Sequence, residues 1–423
     1  MQLTEATHLR LTSLSAFLVP ALALWLPSGY AWGCALLFIG ALLGAPYWLR
    51  WPLARDTRWL AGAVLVMALV WLHGSDWSKG ISVLNKPVRY ALVIPCLLYL
   101  MRFPPQLRFL LAGIAVGAAC GGLRAVYEVF LLGLERPWTS AEKTSNAIQL
   151  GNLCGMFGLM CWLQLMVYGP RWRWPLRLAV LACCALGLLG SLLSQTRGGW
   201  LALALCLPVL FWLIARWVSR RRAAIGVIVL CVLLVPLGWR MAPQLEQRLD
   251  IAIHDVTSYE TSGNANTSVG QRLDHWKLAW AMGLDKPLLG WGEAGYVTEK
   301  ARRVAAGQAS PVVLEYGHAH NEVVDQFVKR GLLGVAGLGV LYLVPLALFW
   351  PRRRVLGTSP GLAPDDEICI RLLGVTVVGA HVGFGLTQVF FAHYNGVMMY
   401  LALLIFLLAT LHPEPPAQRA ASA

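Results

Sequence analysis

The chain has 423 residues, 57% of them hydrophobic and only 13% charged, with a formal net charge of +14. Soluble proteins carry about 25% charge, which excludes an ordinary soluble domain. The basic excess alone would fit a nucleic-acid partner, but it is concentrated in short connections on one side of a series of apolar runs, which argues for a membrane and against nucleic acid. In chain order those runs are 11–27, 29–48, 58–73, 87–101, 108–133, 147–168, 175–195, 198–217, 223–241, 320–350, 369–390 and 394–412. Each is long enough as a helix to cross, or nearly cross, about 30 Å of hydrocarbon. They predict an all-α polytopic membrane protein of about twelve transmembrane helices. Residues 1–241 carry nine spans, 242–319 form one large, partly helical outer loop, 320–412 carry three spans, and 413–423 form a short cytoplasmic tail. The first run lacks a cleavage site and is followed at once by another, so it reads as a retained helix.

With the N-terminus inside, Arg50, Arg55 and Arg58, then Arg102 and Arg108, Arg171, Arg173 and Arg177, Arg216 and Arg220–Arg222, and Arg352–Arg354 all face the cytoplasm. That is the positive-inside pattern. All ten cysteines lie in or at the ends of the apolar runs, so neither a disulfide framework nor a zinc site is expected.

Four connections then face outward: 74–86, 134–146, the turn Gln195-Thr196-Arg197-Gly198-Gly199, and 241–319. Lys79, Lys86 and Arg89 form an outer basic cluster that breaks the inside bias, placed to meet lipid phosphates or headgroups. Arg124 and Glu128, at i and i+4, would each cost about 2.5 to 3.5 kcal/mol at bilayer depth unless paired or lining a cavity. Arg197 sits where topology gives a cation no purpose, at a helix start whose N–H groups favour anions; snorkelling to headgroups would also account for it. In the long loop, Ser268-Val269-Gly270-Gln271 fits a capping box opening a helix to about Gly283. Arg272, Trp276 and Trp280 share one stripe of that helix, as on a helix lying at a membrane surface. Pro287–Tyr296 is a glycine-rich turn without the strand–turn–helix setting of a nucleotide site.

His318-Ala319-His320-Asn321 stands where the long loop meets the tenth run. Histidine is the side chain best suited to take a proton near neutral pH. Histidines at i and i+2 do not share a helix face, and no carboxylate set accompanies them, so the metal-free reading is preferred. Tyr316 and Gln195 are further candidates for orienting a sugar or phosphate. Asp325, Lys329 and Arg330 predict a tilted, partly wet start to the tenth helix.

Arg197, Arg272 and His320 suit transfer of a sugar from a lipid diphosphate. Arginines neutralise the departing diphosphate by paired hydrogen bonds, and a base activates the acceptor hydroxyl, worth roughly 10² to 10⁴ in rate. Ser194–Trp200, the Arg272 helix with Trp276, Lys286–Gly292, and His318–Asn321 leading to Gln326 and Gly331 together resemble the O-antigen ligase family of bacterial envelope glycosyltransferases. The resemblance implies undecaprenyl-diphosphate-linked O-antigen as donor and lipid A–core oligosaccharide as acceptor. It implies Arg197 and Arg272 on the diphosphate, His320 as base, no cofactor or metal, and the periplasmic face of a Gram-negative inner membrane. O-antigen polymerases and protein O-oligosaccharyltransferases share this pattern; a single large loop favours the ligase. A transporter or flippase for a lipid-linked anion is the alternative from another class, with no inverted repeat to support it. Oligomeric state is not legible.

Overall fold

The computed structural model describes residues 3–138, 146–240, 242–357, 359 and 361–412. The predicted tail at 413–423 and most of the 134–146 connection lie outside the described residues. Sixteen α-helices occur among them: α1 (Glu5–Leu22), α2 (Tyr30–Leu43), α3 (Ala45–Trp48), α4 (Arg55–His73), α5 (Asn85–Arg102), α6 (Leu107–Val126), α7 (Ala147–Tyr168), α8 (Trp174–Leu193), α9 (Arg197–Trp217), α10 (Arg220–Arg240), α11 (Ala242–Ser262), α12 (Ser268–Asp285), α13 (Gly292–Ala305), α14 (Glu322–Phe349), α15 (Pro364–Gly385) and α16 (Tyr394–Leu411). Every predicted run overlaps a helix, but the second is divided at Gly44 into the 14-residue α2 and the four-residue α3, and the eleventh outlasts α15, which ends at Gly385. Eight helical stretches are long and apolar enough to cross a membrane by length and composition. The chain is therefore an all-helical polytopic membrane protein.

Helices α7, α15 and α16 are buried almost all round and form the bundle's centre, whereas α8 and α9 expose most of their surface. Close packing comes from small residues, as expected where lipid is as apolar as leucine. In α6 a Cβ on Gly113 or Gly117 would stand 2.4 or 2.3 Å from the Phe17 or Pro20 carbonyl oxygen of α1. Arg124 and Glu128 pair at 2.8 Å as expected, with the Arg124 guanidinium 3.8 Å from the Trp138 ring.

Helices α11 to α13 form a lobe whose small core joins Leu278, Ala279, Met282, Tyr296, Val313 and Ala319 to Val328 of α14. Thr267, one residue before the predicted cap, caps α12 by accepting from the Gly270 N–H. Trp280 packs on Phe327 with ring centroids 5.0 Å apart, so the tryptophan stripe serves at least partly to dock α12 on α14.

The lobe is joined to the bundle by backbone. Gly331 breaks α14 with φ 61° and ψ −155°, a conformation nearly confined to glycine. The groups freed there are taken up by the glycine-rich segment: Trp291 N–H donates to Val328 O (2.9 Å), and Leu332 and Leu333 N–H donate to Pro287 and Leu288 O (2.7 and 3.2 Å). Contact is so close that a Cβ on Gly290 would lie 2.4 Å from the Arg330 nitrogen, and one on Gly331 2.3 Å from the Leu288 carbonyl carbon. Broken helices at membrane depth persist only when such freed groups are re-paired.

Below the break, the start of α14 is dry and paired, not partly wet as the charges alone predict. Asp325, Lys329 and Arg330 are at most 3% exposed. Lys329 lies 3.1 Å from Asp325 and 3.2 Å from Glu293, while Arg330 lies 3.0 Å from Glu293 and also donates to Val70 O and Gln326 Oε1. Burial alone would raise the Glu293 pKa, but Lys329, Arg330 and Lys86 together hold it well below the usual carboxylate range.

Candidate active site

The starts of α5, α9, α14 and α16 and the ends of α4 and α15 gather at one end of the bundle, under the lobe. The linking contacts are Arg330 to Val70 O, Asn321 to Leu386 O and Asn85 to the Tyr394 hydroxyl.

Asn321 caps α14, its side-chain oxygen accepting from Val323 and Val324 N–H at 3.0 and 3.1 Å. That cap fixes the residues before it. Ala319 is fully buried in the lobe core, and its N–H donates to Asp325 Oδ1 at 3.0 Å; Lys329 Nζ donates to Gly317 O at 2.9 Å. So clamped, His320 adopts a left-handed φ of 52°. A non-glycine residue holds that conformation only when its surroundings over-determine it. Gln195, in the opposite turn, has φ 54°.

The His320 Nδ1 lies 3.1 Å from Gln388 Oε1, and Gln388 Nε2 lies 3.1 Å from His393 Nε2. With the amide so oriented, its oxygen accepts only from an Nδ1–H, which leaves the His320 Nε2 lone pair free. The Tyr316 and His318 rings stand 4.6 and 4.4 Å from the His320 ring, and His275 6.1 Å away. Burial, reinforced by Arg272, holds His320 below its usual pKa against the Gln388 hydrogen bond. Burial pushes His275 and His318 down to about 3 and His393 to about 4. All four rings are thus neutral at physiological pH. Among the described residues, no group of three or more His, Cys, Asp or Glu is placed to hold a metal ion.

Arg197 is the first residue of α9 and Arg272 lies in the first turns of α12, three residues before His275. Arg272 has its pKa lowered by burial and then by the positive charge of Arg197, and it in turn acts on His320. Arg272 thereby lies within electrostatic reach of both Arg197 and His320. Among the described residues neither arginine makes a hydrogen bond or ion pair. The glycines after Arg197 serve protein packing: a Cβ on Gly198 would lie 2.3 Å from Thr387 Oγ1, and one on Gly199 3.0 Å from Asn152 Oδ1. Gln195 donates to Glu135 O at 3.3 Å, which places it in the turn's scaffold.

Lys79, Lys86 and Arg89 gather elsewhere. Lys79 and Lys86 line a cavity of about 180 Å³ with Trp71, Glu293, Arg330 and Tyr394. The Arg89 guanidinium lies 3.6 Å from the Tyr394 ring centre.

Gln388 and His393 escape a reading of the sequence, because the eleventh run extends to 390 and absorbs the glutamine. Helix α15 stops at Gly385, and the turn after it docks on α14 through Asn321 and through Phe391 N–H on Glu322 Oε2 at 3.0 Å. A glutamine and a histidine five residues apart in an apolar stretch are the only signal available.

Residues 182–339 match the family model described as O-Antigen ligase, a stretch containing Arg197, Arg272 and His320. An uncharacterized protein of Haemophilus influenzae is 26% identical over 385 residues, covering 90% of this chain and 93% of that one.

Proposed function

We propose, from the match of residues 182–339 to the O-antigen ligase family model, that this chain transfers O-antigen from undecaprenyl diphosphate to lipid A–core oligosaccharide. In this reading the twelve apolar runs all span a Gram-negative inner membrane, and the lobe of α11 to α13 faces the periplasm. The observation that carries the reading is the pair of arginines. Two half-buried cations that repel each other and have no partner among the described residues call for an anion with several acceptor oxygens, which a diphosphate supplies.

The acceptor hydroxyl loses its proton to Nε2 of His320, and its oxygen forms a bond to the anomeric carbon of the donor sugar. The bond from that carbon to the diphosphate oxygen breaks, and undecaprenyl diphosphate departs with the electron pair, its charge met by Arg197 and Arg272. Gln388 holds the imidazole in the accepting tautomer, as a buried carboxylate or amide does in other histidine bases. Asp325, a carboxylate in the loop's support, is committed to Lys329 and the Ala319 N–H. A single displacement that inverts the anomeric centre follows. No metal or cofactor enters the scheme.

The test is a His320→Ala protein that inserts normally, assayed for lipopolysaccharide laddering and for transfer in detergent with purified donor and rough lipopolysaccharide. Loss of product is expected. Unchanged laddering would reject the base, and product lengthened on the donor lipid would instead mark a polymerase.

A further inference from the structure

Helices α2, α5 and α16 leave between them a groove of about 220 Å³ that is almost wholly apolar, lined by Leu37, Phe38, Leu92, Cys96, Met398 and Ile405. The one charged residue lining it is Arg89. Arg89 donates to Asn85 Oδ1, and Asn85 donates to the Tyr394 hydroxyl at 3.2 Å. Asn85 and Tyr394 also line the 180 Å³ cavity that holds Lys79 and Lys86, so groove and cavity meet at Arg89 and Tyr394.

The charges in this notch do not cancel. Lys79 pairs with Asp76 at 3.2 Å and Arg330 with Glu293 at 3.0 Å. Lys86 has no ion pair among the described residues; its ammonium rests 4.4 Å above the Trp71 ring. Arg89 likewise faces an amide and a phenol, not a carboxylate. An apolar slot in the bundle wall, topped by two cations that form no ion pair among the described residues, is complementary to an amphiphile with a phosphate at the base of its head. The notch also leads to the base: Tyr394 follows His393, which Gln388 joins to His320.

We propose that this groove and notch seat the acceptor, a phosphorylated glycolipid, with an acyl chain between α2, α5 and α16 and a phosphate at Lys86 and Arg89. The donor diphosphate would then be held by Arg197 and Arg272, and the two lipids would meet at His320 from separate entrances. This inference rests on the transferase reading for its choice of occupant.

Binding is measured first, without donor, on the purified full chain in detergent by native mass spectrometry. The probes are rough lipopolysaccharide, the same material dephosphorylated, and phosphatidylglycerol. The phosphorylated glycolipid should bind best, and Lys86→Gln with Arg89→Gln should weaken it at least about tenfold while hardly affecting the dephosphorylated form. Ala35→Trp, which fills the groove from an exposed lining position, should weaken both. In the transfer assay the same variants should raise the acceptor KM and leave the donor KM unchanged. Phosphatidylglycerol binding as tightly as the glycolipid would overturn the proposal in favour of a general lipid site. A rise confined to the donor KM would overturn it in favour of a donor site. A wild-type protein that transfers nothing would reject the transferase reading, and the binding arm would still decide the occupant of the groove.

Discussion

Two sets of cations lie at the same end of this bundle and are treated oppositely by the fold. Lys329 and Arg330 are shut away from solvent, each against a carboxylate, with backbone carbonyls completing their shells. Arg197 and Arg272 are only half-buried, repel one another, and have no counter-ion among the described residues. A charge that stabilises a fold is partnered within it; a charge kept for a ligand is left waiting. On the proposed reading, the contrast separates scaffold from site.

The contrast can be broken most directly at the base the scaffold holds. His320→Ala should lower transfer by roughly 10² to 10⁴ with normal membrane insertion, measured by product formation against immunoblotted protein. On the scaffold side, Asp325→Ala leaves Lys329 buried with one partner fewer, and removing one member of a buried pair costs about 3 to 5 kcal/mol. A large drop in thermal stability in detergent is expected; an unchanged melting curve would mean the network is not structural. On the site side the reverse should hold. Arg272→Gln or Arg197→Gln should leave stability equal or slightly raised, since repulsion is relieved. Donor use should fall about tenfold to a hundredfold, from the 1.5 to 3 kcal/mol typical of charge-assisted hydrogen bonds. An equal loss in acceptor use would remove the clamp.

The smallest effect is a pair of opposite shifts in pH profile. His320 must be neutral to accept a proton, and burial holds its pKa below 6.5, so the rate should be flat near neutrality and fall only on the acid side of that value. Arg272 lowers this pKa and the Gln388 hydrogen bond raises it. Arg272→Gln should therefore move the acid limb to higher pH, and Gln388→Ala to lower pH with a reduced plateau. Limbs that shift together would contradict the arrangement.

The helices were legible because apolar run length is a direct consequence of bilayer thickness. Arg197 and His320 stood out because each interrupts such a run's edge with chemistry that topology does not require. What stayed hidden depends on contacts between distant stretches. Gln388 looked like part of a span until α15 proved to end at Gly385. Lys329 and Arg330 looked wet because their partner Glu293 is some forty residues away in the lobe. Gly290 and Gly331 marked a turn and a span on paper, but only three dimensions show that Gly290 admits the backbone of Lys329 and Arg330, and Gly331 that of Leu288 and Leu289. Helix α11 went unread because it is too polar to register among the apolar runs.

The seam at Gly331 has a mechanical corollary. Because main chain from 287–291 completes a helix interrupted at 331, lobe and membrane bundle share backbone hydrogen bonds and cannot be excised cleanly from each other. Any tilt of the lobe against the bundle must tug on the outer stub of α14, which carries Lys329 and Arg330 and begins next to His320. On the proposed reading, opening the lobe to admit a long polysaccharide would loosen the loop that carries His320 in the same stroke, so that entry and readiness to react would alternate.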